Sequence, residues 1–268
     1  MDCKVFRVVW LTDIDNTLLP TGTERSGVDL ELLGGFLREL ERHCVLVVPV
    51  TFKTLSEVKY LSSLMGYEFP VAVVEGGCAV VFNEDLVGGS RGVLELCRGR
   101  SVVDAALEAF NDPCKGRLSL LTGLDAGFAS KVLDIPGEEA KRALKRAHSE
   151  LVYSEDEECI EKLAEFVERV GLKATRSRRI LHVTEVLKGD AARLLLKMLS
   201  QRVTGPVIAS GDSAADREFL ELADTPIVVS GNAHEWFRKY PYISVWGGIP
   251  RALIDYVSRV VLLKAWDA

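Results

Sequence analysis

A chain of 268 residues with 48% hydrophobic and 27% charged side chains can build one large core or two modest ones, and has the make-up of a globular protein. Its formal net charge of -6 argues against a phosphate-backbone binder, so no nucleic-acid partner is expected. No apolar run approaches the roughly 18 residues that span a bilayer, and Met1 leads into a strand-like segment without a cleavable signal pattern, so a cytoplasmic setting without a membrane partner is expected.

In chain order, Val5–Leu11 is short, β-branched and almost wholly apolar, which suits a strand buried on both faces of a parallel sheet. Leu30–Arg42 has helical spacing, with Leu32, Leu33, Phe36, Leu37 and Leu40 on one side. Val45–Val50 predicts a second buried strand, Thr54–Met65 a second helix and Val71–Val74 a third strand. Such alternation specifies βαβ units. After about Phe82, Gly and Arg become frequent. Helices are predicted there over Val102–Phe110, Glu138–His148 and Asp156–Val170, with strands at Leu151–Tyr153 and Ile180–Thr184. This middle part reads as α+β and as a domain inserted in the first. From Lys188 the first pattern resumes: helix Gly189–Leu199, strand Val207–Ala209, helix Ala214–Leu222, strand Ile227–Val229 and a closing helix near Arg251–Leu263.

The six cysteines (3, 44, 78, 97, 114 and 159) show no metal-ligand spacing and sit mostly in apolar surroundings, so reduced core cysteines are expected. One Gln and four Asn in the whole chain fit a thermophilic source, because these amides are thermolabile.

The residues that carry chemistry gather where strands end. Asp13-Ile14-Asp15-Asn16-Thr17 follows the first buried strand, at the carboxyl edge where open parallel sheets bind ligands. There Asp13 can attack phosphorus and touch a divalent cation, while Asp15 can protonate a leaving alkoxide and then deprotonate water. Taken alone, the pentapeptide also reads as an Asx turn. Thr51 ends the second strand and can hold a phosphate oxygen, with Thr54 free to cap the next helix. Lys188 places a cation near the same edge, able to neutralise the nucleophile and the transferring group. Gly211-Asp212-Ser213-Ala214-Ala215-Asp216 brings two more acids to a strand end. Asp212 suits magnesium, which prefers oxygen ligands. Asp216 can bind a metal water, hold Lys188 or complement a helix dipole.

DIDNT, Thr51, Lys188 and GDSAAD, in this order and spacing, resemble the four motifs of the haloacid dehalogenase superfamily. The insertion of roughly 100 residues resembles the large α/β cap of its sugar-phosphatase branch. Within that branch the chain is most similar to the mannosyl-3-phosphoglycerate phosphatase family. That family's TSKT is matched by Thr51-Phe52-Lys53-Thr54, its Thr-Gly-Leu by Thr122-Gly123-Leu124, and its R-x-x-S-E by Arg146-Ala147-His148-Ser149-Glu150. Its Arg–aromatic–His stretch is met by Arg179-Ile180-Leu181-His182. Three positions depart from pattern: Glu-Asn-Gly becomes Glu75-Gly76-Gly77, GDSxND becomes GDSAAD, and DxDGT becomes DIDNT.

The resemblance implies an α/β fold: a doubly wound, mostly parallel sheet of residues 1–85 and 183–268, with a cap of residues 86–182. It implies hydrolysis of a small phosphorylated sugar acid through an aspartyl phosphate on Asp13, with Asp15, Thr51 and Lys188 assisting. Magnesium is expected on Asp13, the main-chain carbonyl of Asp15, Asp212 and Asp216. Thr17, Lys53, Arg146, Ser149, Arg179 and His182 are the candidate substrate contacts, a guanidinium being suited to a carboxylate beside the phosphate. The basic runs KRALKR and RSRR also read as solvated faces. Phosphatases for other sugar phosphates, phosphomutases of the same fold and a non-catalytic sugar-phosphate binder are the rival readings.

Overall fold

The computed structural model describes residues 3, 5–22, 27–86, 91–177, 179–229, 242–243, 254 and 257–259. Its central sheet has five parallel strands in the order β12-β11-β10-β1-β2: β1 is Val8–Thr12, β2 Val45–Pro49, β10 Val207–Gly211, β11 Thr225–Val229 and β12 Tyr242–Ile243. The apolar run of β1 serves both faces of this sheet. Val8 and Trp10 join one core with α1 (Leu30–Arg42) and α2 (Leu55–Met65). Val9 and Leu11 join another with α7 (Lys188–Met198) and α8 (Arg217–Leu220). Helices therefore cover both faces, and the core is doubly wound. Leu33 and Leu37 of α1 are wholly buried, and truncating either to Ala would cost about 2–5 kcal/mol.

Beyond β2, the strand β3 (Val71–Val74) is joined by a single bridge between Val50 and Val73. It continues antiparallel into β4 (Ala79–Phe82) and β5 (Gly92–Glu95). Thus β5 completes a sheet with β3 and β4, although it lies past residue 85.

A second α/β unit carries an antiparallel sheet in the order β6-β7-β9-β8: β6 is Ser119–Leu120, β7 Glu150–Tyr153, β8 Lys173–Ser177 and β9 Ile180–Thr184. Around it lie α3 (Arg100–Ala109), α4 (Ala126–Leu133), α5 (Gly137–Ala143) and α6 (Glu157–Arg169). This is the cap. The two chain segments that connect it to the core are tied by Arg98, whose backbone N–H and Nε donate to the Glu185 carboxylate at 2.7 and 2.6 Å. The expected helix Glu138–His148 stops at Ala143. The closing helix near Arg251–Leu263 lies mostly outside the described residues. No helix among the described residues is long and apolar enough to cross a membrane.

One expectation fails outright. The cysteines are not reduced: Cys3–Cys44, Cys78–Cys97 and Cys114–Cys159 are disulfides. The partners are 41, 19 and 45 residues apart. Folding rather than local spacing brings them together, and an apolar neighbourhood is equally what a buried disulfide occupies.

Candidate active site

Strand register assembles the site. Thr12 pairs with Pro49 on one side and Ser210 on the other. The residues that follow these three strands therefore meet at one edge: Asp13 after β1, Thr51 after β2 and Asp212 after β10. The backbone N–H of Asp13 donates to the Ser210 carbonyl at 2.9 Å. Beneath it runs a buried chain in which Trp10 Nε1 donates to Ser210 Oγ (3.0 Å), Ser210 Oγ to Thr12 Oγ1 (2.8 Å) and Thr12 Oγ1 to the Asp13 carbonyl (2.8 Å). These bonds fix the backbone that carries Asp13.

Lys188, at the start of α7, inserts its ammonium between two carboxylates. Nζ lies 2.8 Å from Asp13 Oδ1 and 2.8 Å from Asp216 Oδ1. The other oxygen of Asp216 accepts from the backbone N–H of Asp212 and Ser213 at 3.1 Å each and from Ser213 Oγ at 3.0 Å. Asp216 thus holds Lys188 and the 211–213 turn. The same turn needs Gly211, because a Cβ there would lie 2.8 Å from the Asp216 carboxyl carbon.

Carboxylate oxygens of Asp13, Asp212 and Asp216 lie within 4.8 Å of one another, and Lys188 alone does not balance them. Burial pushes the Asp13 carboxyl up to about 7, against the opposing pull of Lys188 and with help from Asp216 and Asp15. Burial, then Asp13 and Asp216, push Asp212 up to about 8. Lys188 is driven upward because its two carboxylates outweigh the penalty of burial. An excess of hard, anionic oxygen donors fits a divalent cation such as magnesium. Since Asp216 is committed to four donors, Asp13 and Asp212 have the capacity to ligate it.

Asn16 sits at φ 56°. Asn tolerates this left-handed conformation, which explains why it replaces Gly in DIDNT without distortion. Its Oδ1 accepts from the backbone N–H and hydroxyl of Thr21. Thr17 is buried, and its Oγ1 has no hydrogen-bond partner among the described residues. Thr54 caps α2 in a reciprocal capping box with Glu57. Thr51 is thereby free of capping duty; its Oγ1 accepts from the Lys53 backbone N–H at 3.2 Å. The Lys53 ammonium, 3% exposed, lies 2.9 Å from Asp15 Oδ1 and 2.6 Å from Glu139 Oε1 of the cap.

The cap closes over this edge through polar contacts. Arg146 donates through both terminal nitrogens to the Phe52 carbonyl, at 3.1 and 2.9 Å, and to Ser149 Oγ at 2.9 Å. The Glu75 carboxylate accepts from the backbone N–H groups of Ala147, His148 and Ser149 and from the Ser149 hydroxyl. Glu150 is buried and bonds Thr122, which joins the Thr-Gly-Leu segment to the R-x-x-S-E segment. The His182 ring packs on Phe52 with centroids 4.0 Å apart, and its Nδ1 is buried without a partner among the described residues. Burial, Arg146 and Lys188 hold its pKa well below the usual histidine value. Arg179 is 53% exposed and pairs with Glu155 on the cap surface.

The Gly76 departure and the Phe52 of the Thr51–Thr54 segment are one event in space. Gly76 has φ 70°, and a Cβ there would lie 2.7 and 2.8 Å from the Phe52 ring. Phe52 stands where TSKT has Ser, so the larger ring fills the room that an Asn side chain at 76 would need. The ring also faces the Lys188 ammonium at 4.6 Å.

The structure thus gathers Asp13, Asp15, Thr51, Lys188, Asp212 and Asp216 at one edge, and brings Lys53, Arg146, Ser149 and His182 to the seam between core and cap. Thr12, Ser210, Phe52, Glu75 and Glu139 were not anticipated from sequence. A polar pair at the ends of otherwise apolar strands was the available signal for Thr12 and Ser210. Glu75 and Glu139 carry none, because their partners lie more than 70 residues away.

No protein-family model matches the chain. It is 27% identical over 239 residues to a glucosyl-3-phosphoglycerate/mannosyl-3-phosphoglycerate phosphatase of Persephonella marina, covering 83% of this chain and 84% of that protein. A mannosyl-3-phosphoglycerate phosphatase of Aeropyrum pernix is 27% identical over 262 residues, covering 89% and 88%. Among solved structures, a haloacid dehalogenase-like hydrolase from Bacteroides thetaiotaomicron superposes with a TM-score of 0.67 at 17% identity, over 95% of this chain and 99% of that one. The sucrose-phosphatase of Synechocystis does so with 0.62 at 13% identity, over 95% and 98%.

Proposed function

Taking the chain as a phosphoric monoester hydrolase with a haloacid dehalogenase-like fold, we propose that it hydrolyses mannosyl-3-phosphoglycerate, or its glucosyl analogue, to the sugar glycerate and phosphate. The observation that carries the hydrolase reading is the Asp13–Lys188–Asp216–Asp212 cluster at the ends of the neighbouring strands β1 and β10, with Asp15 beside it. The named substrate is supported by the cap segments around Thr122 and Arg146 and by the two sequence relatives.

In this reading the Asp13 carboxylate attacks phosphorus, forming an O–P bond as the ester P–O bond breaks. Asp15 gives its proton to the departing oxygen. Water then attacks the aspartyl phosphate while Asp15 takes back a proton, which frees phosphate and restores Asp13. Lys188 draws the Asp13 carboxyl back toward its ionised form against burial and offsets charge on the transferring group. The Thr51 and Thr17 hydroxyls serve the phosphate oxygens. Magnesium, held by the side chains of Asp13 and Asp212 and the main-chain carbonyl of Asp15, would supply the remaining positive charge. Lys53 and His182 face the leaving group. Arg146, Ser149 and Arg179 serve the glycerate only by exchanging their present partners. We place the enzyme in the cytoplasm of a thermophile, a compartment in which structural disulfides are at home among hyperthermophiles.

The test is a side-by-side kcat/KM comparison of the mannosyl and glucosyl glycerate phosphates with sucrose and trehalose phosphates, with magnesium present. A charge-assisted hydrogen bond that the glycerate carboxylate makes and a neutral sugar cannot is worth about 1.5–3 kcal/mol, a preference of about 10- to 10²-fold for the glycerate esters. A neutral disaccharide phosphate that matches them refutes the substrate. Phosphate release from no phosphosugar refutes the hydrolase.

A further inference from the structure

We infer that Glu139 is a positioning residue: docking of the cap delivers its carboxylate to Lys53, and Lys53 in turn holds Asp15 where it can pass a proton to the leaving oxygen. The inference rests on the phosphomonoesterase reading above.

The geometry is that of a relay with one member on a different unit. Lys53 belongs to the core, yet the oxygen nearest its ammonium comes from the cap. Glu139 Oε1 is at 2.6 Å, Asp15 Oδ1 at 2.9 Å and Glu57 Oε1 at 3.7 Å. Glu57 also caps Thr54 through its other oxygen, so it holds the lysine less closely. Glu139 is wholly buried, and α5 is seated on α2 by independent contacts. Thr54 Oγ1 donates to the Arg142 carbonyl at 3.2 Å, and the Arg142 guanidinium lies 4.1 Å over the Tyr60 ring.

The Asp15 side chain, by contrast, is 37% exposed overall, and its inward Oδ1 accepts no hydrogen bond among the described residues and meets Lys53 as an ion pair alone. A lysine stem has four rotatable bonds, and a semi-exposed aspartate has several rotamers. Pinning the ammonium from the cap side removes that freedom for both. When the cap lifts, Glu139 leaves with it and Asp15 loses its ordered neighbour. Proton donation then belongs to the closed state alone. The bonds made and broken are those of the two steps above; Glu139 touches neither substrate nor the reacting atoms.

The experiment compares two esters on the full-length, magnesium-loaded protein. Glucose 6-phosphate leaves as an alkoxide and needs a proton from Asp15, whereas p-nitrophenyl phosphate leaves as a stable phenolate and does not. Asp15 still serves both in the second step, as base toward water. Glu139→Leu keeps volume without an acceptor and should lower kcat on the alkyl ester by about 10²-fold, with KM nearly unchanged. On the aryl ester its first turnover should keep the wild-type rate, followed by a slowed second step seen as a nitrophenolate burst. Glu139→Gln should fall between the two. Arg142→Ala removes the Tyr60 contact but keeps the main-chain carbonyl bonded by Thr54, so α5 stays seated and the alkyl-to-aryl ratio should stay as in wild type.

Equal first-turnover losses on both esters, no loss at all, or the same ratio change in Arg142→Ala would reduce Glu139 to a docking contact and overturn the inference. If Glu139→Leu does not fold, Glu139→Gln decides: a wild-type ratio there overturns the inference as well. A wild-type protein that releases phosphate from neither ester and from no phosphosugar of the panel above overturns the phosphatase reading instead; a panel phosphosugar that is cleaved where glucose 6-phosphate is not takes its place as the alkyl ester, so the two failures are distinct.

Discussion

Metal binding by this chain should be steeply pH-dependent, because the two carboxyls with capacity for a cation are also the two whose surroundings raise their affinity for protons. Asp13 is pushed up to about 7 and Asp212 to about 8, in each case first by burial. A cation takes only deprotonated oxygens, so binding must expel whatever protons the metal-free site retains. At about pH 6 that is about 1.9 protons, and at about pH 8 about 0.6, the two groups titrating as a pair. Apparent magnesium affinity should therefore rise by about 500-fold between those conditions. Isothermal titration of chelator-treated protein, in two buffers of different ionisation enthalpy, counts the protons directly. Both folded pKa values lie above the unfolded ones, so the folded state keeps protons that the unfolded chain releases. Their contribution to metal-free stability must fall as pH rises from about 4 through 8. Added magnesium should raise the melting temperature more at about pH 8 than at about pH 6. Release of fewer than about 0.5 protons at the lower pH, or an affinity change below about tenfold, would refute this account of the acid cluster.

Asp13→Asn removes the anionic nucleophile with little change of shape, so phosphate release should drop by about 10³-fold or more while the melting temperature holds. Gly76→Ala places a methyl group against the Phe52 ring at a left-handed φ and should destabilise by about 1–3 kcal/mol in denaturant titration. Combining it with Phe52→Ser should recover part of that loss, a non-additivity that separate local effects would not produce. Reducing the three disulfides should lower stability, each loop being worth about 3–4 kcal/mol on the chain-entropy account. An unchanged denaturant midpoint after full reduction would mean that these bonds do not constrain the unfolded chain.

The acids of the site were legible because each follows an apolar strand, and register in a parallel sheet converts "end of a strand" into a shared location. Lys188 was legible only through its order relative to the others. The cap was harder to read. Lys173–Ser177 of β8 is largely exposed and charged, so it lacks the alternation that marks a half-buried strand. The helix α4 is only 8 residues long and contains Gly127. The expected extension of α5 to His148 fails because residues 147–149 turn their N–H groups onto Glu75 instead of continuing a helix. Arg146 and Ser149 were recognisable as a motif, yet their partners Phe52 and Glu75 lie in another part of the chain, and no local pattern encodes them.

The seam between cap and core has a consequence for turnover. The apolar clusters of the described residues segregate: two belong to the core and two to the cap. Apart from the Phe52–His182 and Arg142–Tyr60 ring contacts, the bonds described across the seam are polar, including those of Glu75, Arg146 and Lys53. Each nets only about 0.5–1.5 kcal/mol against water, or up to about 3 where charged. Lifting the cap therefore exchanges protein partners for solvent without exposing a hydrophobic face. Rehydration meets the movement halfway, and the substrate's own oxygens can substitute for water on return. An opening of this kind would leave no broad apolar face to drive association between molecules.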